Sequence, residues 1–108
     1  MSFEIRESDG YIIASLCGDI DLASFPQTRE AILGSLDKGD LLVDLSAVDY
    51  LDSSGVASLV EGYQISKDKA RRFGLINLSR PALSVIQLAH LDKVFPIYND
   101  LQEAVNSN

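Results

Sequence analysis

The sequence is poor in residues that build covalently linked or metal-held folds. Among 108 residues there is one cysteine, Cys17, one histidine, His90, and no tryptophan. A single thiol excludes an internal disulfide and suits a reducing compartment. One histidine and one cysteine make a poor metal-ligand set, so no metal is expected. Cations are scarce as well: 9 Lys and Arg stand against 16 Asp and Glu, a formal net charge of −7. Duplex nucleic acid is held largely by Lys and Arg on phosphates, so this balance argues against such a partner. No window approaches the ~20 apolar residues of a membrane helix. The opening Met1-Ser2-Phe3-Glu4 lacks the basic stretch and apolar core of a secretory leader. The expectation is a cytoplasmic protein without direct membrane insertion. No Walker-type or dinucleotide-binding glycine motif is present, and no cofactor is expected.

What remains is ordinary globular composition, 46% hydrophobic and 23% charged. The length suits one domain over residues 1–108, which buries roughly two-thirds of its unfolded surface. Phe3 to Arg6 alternates apolar and polar, and Tyr11 to Cys17 favours a strand. Asp9-Gly10 between them is a hairpin signal. Gly18 to Asp21 reads as a polar loop. A helix follows from about Phe25 to Leu36, with Ser24 as its cap, Pro26 in its first turn, and Ala31, Ile32 and Leu36 on one stripe. Leu41 to Leu45 suits a strand buried on both faces, and Ser46 to Leu51 a turn. Val56, Leu59, Val60 and Tyr63 then recur at helical spacing, leaving Ser58, Glu61, Lys67 and Asp68 largely off that face. Gly74 ends this helix, and Leu75 to Leu78 forms another buried strand. Ser79-Arg80-Pro81 opens a third helix on Ala82, Val85, Ile86 and Ala89. Val94 to Ile97 is a short last strand, and Asn99-Asp100 starts a last helix using Leu101, Ala104 and Val105. The order ββαβαβαβα implies an α/β fold with a mixed central sheet of four or five strands and about four helices.

The most informative segment is Asp52-Ser53-Ser54-Gly55, at the start of the Val56 helix. Asp and Ser are favoured N-caps, each worth ~1 kcal/mol. One hydroxyl can cap while the other stays exposed. A helix N-terminus offers free N–H donors to an added phosphate. A second candidate is Gly18-Asp19-Ile20-Asp21, whose carboxylates either cap the following loop and helix, bind a cation, or meet a partner's Arg or Lys. His90 near the end of the third helix reads as a cap or surface residue. Cys17 reads as a buried thiol. Lys67, Lys69, Arg71 and Arg72 read as a solvated helix end. No nucleophile-elbow spacing links His90 to Ser53 or Ser54, so no enzyme is expected. Gly62 costs ~1 kcal/mol inside a helix. With Ala57 it either lets a partner helix dock closely or serves internal packing.

Several segments together resemble the STAS domains, in particular bacterial anti-sigma factor antagonists. They are Gly18-Asp19-Ile20-Asp21; Val43-Asp44-Leu45-Ser46 with Val48; Leu51-Asp52-Ser53-Ser54-Gly55-Val56; Asn77-Leu78; Val85-Ile86-Gln87-Leu88; and Leu91-Asp92-Lys93-Val94-Phe95. The resemblance spans nearly the whole chain. It implies a non-enzymatic regulator of transcription. In its unphosphorylated state such a protein binds an anti-sigma factor that is also a serine kinase, releasing a sigma factor. Phosphorylation ends the complex, and a serine phosphatase resets it. Residue by residue, the phosphoacceptor matches Ser54, with Ser53 as second choice. Asp21 matches the acidic position near that loop. Asp19 stands where the family pattern has glutamate, one methylene longer. Expected partner contacts are Asp19, Asp21, Asp52, Ser53, Ser54, Gly55 and Ser58. The stretch Gly55 to Gly62 also resembles a second branch, STAS subunits of lipid-transport ABC systems, for which the partner is the transporter ATPase.

Overall fold

The computed structural model describes residues 1–107. Asp9 and Gly10 both take positive φ, 54° and 84°, which fits a two-residue turn between twisted strands. That turn joins β1 (Ser2–Ser8) to β2 (Tyr11–Ile20) as an antiparallel pair, from Ser2 opposite Cys17 to Ser8 opposite Tyr11. After α1 (Phe25–Leu36) comes β3 (Leu41–Leu51), then α2 (Ser53–Asp68), β4 (Phe73–Ile76), α3 (Arg80–Leu88), β5 (Ile97–Tyr98) and α4 (Leu101–Asn106). The strands lie in the order β1-β2-β3-β4-β5, and every pair after the first is parallel. The expected element order and mixed sheet are therefore present.

One sheet face carries most of the core. Ile12, Ala14 and Leu16 of β2, with Val43 and Leu45 of β3, pack against Ile32 and Leu36 of α1, Leu59 of α2 and Ile86 of α3. The other face holds a smaller cluster, in which Ala104 of α4 meets Tyr11, Ile13, Leu42 and Ile76. Leu41 to Leu45 is buried throughout, as a strand covered on both faces should be.

Four sequence expectations shift. Gly18 to Ile20 is strand rather than loop. Gly18 reaches φ +90°, and the β2–β3 register slips between Ser15 and Cys17 and again between Gly18 and Asp19. These irregularities absorb residues that a regular strand disfavours. Ser46 to Leu51 continues β3 rather than turning, because β2 extends alongside it as far as the pair Ile20–Leu51. Gly74 lies inside β4, and α2 instead ends at Lys69, followed by Ala70 at φ 56°. The last strand begins at Ile97 because Pro96 has no N–H to give a ladder; its carbonyl accepts from the Leu75 amide at 2.9 Å.

Helix α1 has the expected span and stripe, but Ser24 does not cap it through its side chain. Its Oγ accepts from the Asp21 amide at 2.9 Å instead, tying the helix to the end of β2. On α2 the buried line is Gly55, Ser58, Leu59, Gly62 and Ser66, so the buried face is rotated from the one expected. Val56, Val60 and Tyr63 flank it, half-buried against the core. Ala89 of the third stripe is exposed. Cys17 is exposed too: it continues the Tyr11, Ile13, Ser15 face of β2 beyond the reach of the smaller cluster.

Candidate functional site

The turn from β3 into α2 is organised by one carboxylate. Asp52 is extended, with φ −103° and ψ −173°, and its Oδ1 accepts from the Ser54 amide at 2.9 Å and the Gly55 amide at 3.1 Å. Two of the orphan donors of the helix are thus satisfied by Asp52 rather than by either serine. The Asp52 amide in turn donates to the Ile20 carbonyl at 3.1 Å, which locks this turn to the end of β2. Gly55 is required by that closeness. A Cβ there would strike Leu51 Cδ1 and lie 2.9 Å from the Ile20 carbonyl oxygen.

With the cap assigned to Asp52, the serines are released for other work. Ser53 is exposed and Ser54 half-buried, and no hydrogen bond engages either hydroxyl among the described residues. Ser58 differs from the expectation. It is 1% exposed, and its Oγ donates to the Ser54 carbonyl at 3.2 Å, so it supports the first turn from inside and is out of reach of a partner.

The second acidic segment sits beside the first because β2 and β3 end together. Asp19 is exposed, paired in register with Tyr50. Asp21 is half-buried, and its Oδ1 accepts from the Ser24 amide at 3.1 Å. It therefore caps the loop, while Asp19 keeps its carboxylate toward solvent. Among the described residues no group of three or more His, Cys, Asp or Glu side chains converges as a cation site would require. Two further residues mark this end of the sheet and were missed from sequence. Leu22 is 73% exposed and Tyr50 52% exposed. Their sequence signal is weak, because nothing in a single chain distinguishes a bare leucine from a buried one.

This end of the molecule carries Asp19, Asp21, Asp49 and Asp52 and no basic residue between positions 7 and 28 or 39 and 66. Added negative charge on Ser54 would stand beside the Asp52 carboxylate, which already takes the amides of residues 54 and 55. The phosphate-cradling donors expected from the sequence are therefore occupied in this conformation. His90 lies beyond the far end of α3, whose first turn is fixed near the site side by Ser79 Oγ donating to the Val48 carbonyl at 2.7 Å. The helix carries the imidazole away from the serines. Gly62 faces inward, where a Cβ would lie 2.5 Å from Ile32 Cγ2, so it serves the packing of α1 on α2 rather than a partner helix.

The basic run is also accounted for internally. Lys69 pairs with Asp37 at 2.7 Å, and Arg71 donates to the Leu36 carbonyl at 3.2 Å, joining the ends of α2 and α1. Lys67 lies 4.4 Å over the Tyr63 ring. No helix among the described residues is long and apolar enough to cross a membrane.

Known proteins resemble this chain in sequence and fold. The anti-sigma-B factor antagonist of Bacillus subtilis is 26% identical over 98 residues, covering 90% of each chain. The anti-sigma-F factor antagonist of Mycobacterium tuberculosis is 28% identical over 103 residues, 94% of this chain and 84% of that one. A crystal structure of an anti-sigma factor antagonist from Mycobacterium paratuberculosis superposes with a TM-score of 0.87 at 31% identity, covering 98% of this chain and 92% of that chain. The profile of the STAS domain matches residues 2–104, and with the sheet order and the Asp52-capped turn already described, the chain belongs to the STAS domain family.

Proposed function

We propose that this protein is an anti-sigma factor antagonist that works in the cytoplasm by binding rather than catalysis. Its partner is an anti-sigma factor with serine kinase activity, and phosphorylation of Ser54 is the off switch. A serine phosphatase reverses it. The observation that carries this reading is the division of labour at the head of α2: Asp52 does the capping, and the hydroxyls of Ser53 and Ser54 are left unengaged. Relatives named as anti-sigma factor antagonists support it.

The contact surface comprises Asp19, Asp21, Ser53 and Ser54, extended by Leu22 and Tyr50, with Asp52 and Gly55 holding its shape. A phosphate adds about −1.5 to −2 charges. The bound partner would have to bury that charge beside carboxylates, and an uncompensated buried charge costs about 3–5 kcal/mol. Gly62 packs internally and offers the transporter-subunit reading no docking flank, and the relatives named as anti-sigma factor antagonists favour the first reading.

The deciding experiment incubates the protein with the cognate kinase and ATP and follows intact mass and complex formation. One phosphate should add to the wild type and none to Ser54→Ala. Ser54→Asp should weaken binding by roughly 100-fold or more while the fold is retained. Labelling that survives Ser54→Ala, or full binding by Ser54→Asp, overturns the proposal.

A further inference from the structure

The sheet has one long open edge. Strand β1 runs from Ser2 to Ser8 without a register slip against β2, contains no proline, and has no strand beyond it in the sheet order. Natural edges are often blunted by shortness, bulges or proline, and β1 has none of these; its guards are charges alone, Glu4 and Arg6 on one face and Glu7 on the other. The opposite edge, β5, has only two residues.

The faces of β1 are distinct. Phe3, Ile5 and Glu7 stand opposite Leu16, Ala14 and Ile12, so they point to the side of the large core. Helix α1 packs over β2 and β3 and does not cover them: Phe3 remains 46% and Ile5 42% exposed, on a groove bounded by Ala31 and Gly34 of α1. Glu4 and Arg6 point to the other face. In a two-residue hairpin closing on Ser8 and Tyr11, alternation of the ladder turns the main-chain groups of Phe3, Ile5 and Glu7 outward, toward the open edge.

We propose that two copies of this chain pair along β1, antiparallel and two-fold symmetric about Ile5, to form one continuous sheet. The occupant is argued from charge and register. With Ile5 opposite Ile5 of the second copy, all seven residues overlap, Ser2 against Ser8. Glu4 then faces Arg6 of the second copy, and the symmetry repeats that pair. Opposite charges directly across strands are favourable, and like charges are not. Centring the pair on Glu4 sets Glu4 against Glu4; centring it on Arg6 sets Arg6 against Arg6. A slip of a single residue opposes charged side chains to Phe3 and Ile5 and mixes the two faces. Of these registers this one alone pairs all seven residues, sets Glu4 against Arg6 and keeps each face with its like, though it leaves Glu7 opposite Phe3. In it the two-fold axis stands perpendicular to the sheet, so both α1 helices lie on the same side. The two grooves merge into one, floored by Phe3 and Ile5 of each copy. Glu7, opposite Phe3, keeps its carboxylate at the groove rim near Lys38. Ser54 lies two strands inward and stays open in such a dimer, so this inference is independent of the proposed switch.

Sedimentation equilibrium of the full chain tests it. The mass should rise from one protomer toward two as concentration increases. Glu4→Arg and Arg6→Glu should each abolish the rise, since each sets like charges across the axis. The exchange Glu4→Arg with Arg6→Glu should restore it. A wild type that stays monomeric up to about 1 mM overturns the proposal, as does a dimer indifferent to both reversals or an exchange that fails to rescue. Should a variant lose its fold by circular dichroism, hydrogen exchange on the wild type decides instead. The amides of Phe3, Ile5 and Glu7 should slow at high concentration, and unchanged rates there overturn the pairing. A different macromolecule covering this edge would leave the isolated chain monomeric.

Discussion

Gly55 shows how tightly the turn at the head of α2 is built. A methyl added there meets Leu51 Cδ1, which can swing, but also the Ile20 carbonyl oxygen at 2.9 Å, which belongs to the backbone. Alanine is the better helix former by about 1 kcal/mol. The steric cost of overpacking a fixed contact is typically ~1–3 kcal/mol and here dominates. Gly55→Ala should therefore destabilise the protein by up to about 2 kcal/mol net in urea unfolding; a stabilised variant would show that β2 and β3 part easily at their ends. The residue-level pattern was only half visible in the sequence. Asp52-Ser53-Ser54-Gly55 announces a helix start, yet three of its four residues are good caps, and only the geometry assigns the role to Asp52. Ser58 reads as off the packed face because it is polar, yet it is buried. On α2 the small residues Gly55, Ser58, Gly62 and Ser66 trace the line of closest approach, and hydrophobicity does not mark such a line.

At the level of elements, α1 and α2 are joined at both ends of their contact. Arg29 pairs with Glu61 at 2.6 Å, and Lys69 with Asp37 at 2.7 Å. All four side chains are at least a third exposed, so each pair contributes little alone. Asp37 still leaves a signature in pH. Its hydrogen bond from Lys69, then the Lys69 charge, hold its carboxyl below the ordinary aspartate value, with Arg71 adding to the effect. A carboxyl depressed by folding contributes stability above its unfolded value, near 3.9. That contribution fades as pH falls through the lower folded value. Stability curves of wild type and Asp37→Asn should therefore differ slightly above about pH 4 and converge below it. A constant offset down to strong acid would place the effect elsewhere. Helix α1 was legible to the residue, because Pro26 and a clear apolar stripe mark it. The far half of β3 was not. Burial at Val48 and Leu51 recurs every third residue, after the register slips, and so imitates neither strand nor helix.

Across the whole molecule, the sheet narrows toward the candidate site. β4 accompanies β3 only from Leu41 to Asp44, whereas β2 continues to Leu51. Beyond Asp44 the outer side of β3 is met by α3 at two points, the Ser79 amide on the Leu45 carbonyl and the Ser79 hydroxyl on the Val48 carbonyl. Fewer ladder partners mean cheaper local opening. Amide exchange should run about tenfold faster or more over residues 46–51 than over 41–44, an opening free energy lower by roughly 1.4 kcal/mol. Uniform protection along β3 would contradict this. The alternation of strands and helices made the architecture readable, but unequal strand lengths depend on pairings between distant segments and left no local trace. Their mechanical meaning is specific. The Asp52–Gly55 turn hangs on a two-strand ladder, yet Ile20, Val48 and Leu51 beside it are buried in the large core. Whatever loosens that ladder must therefore open a corner of the core as well.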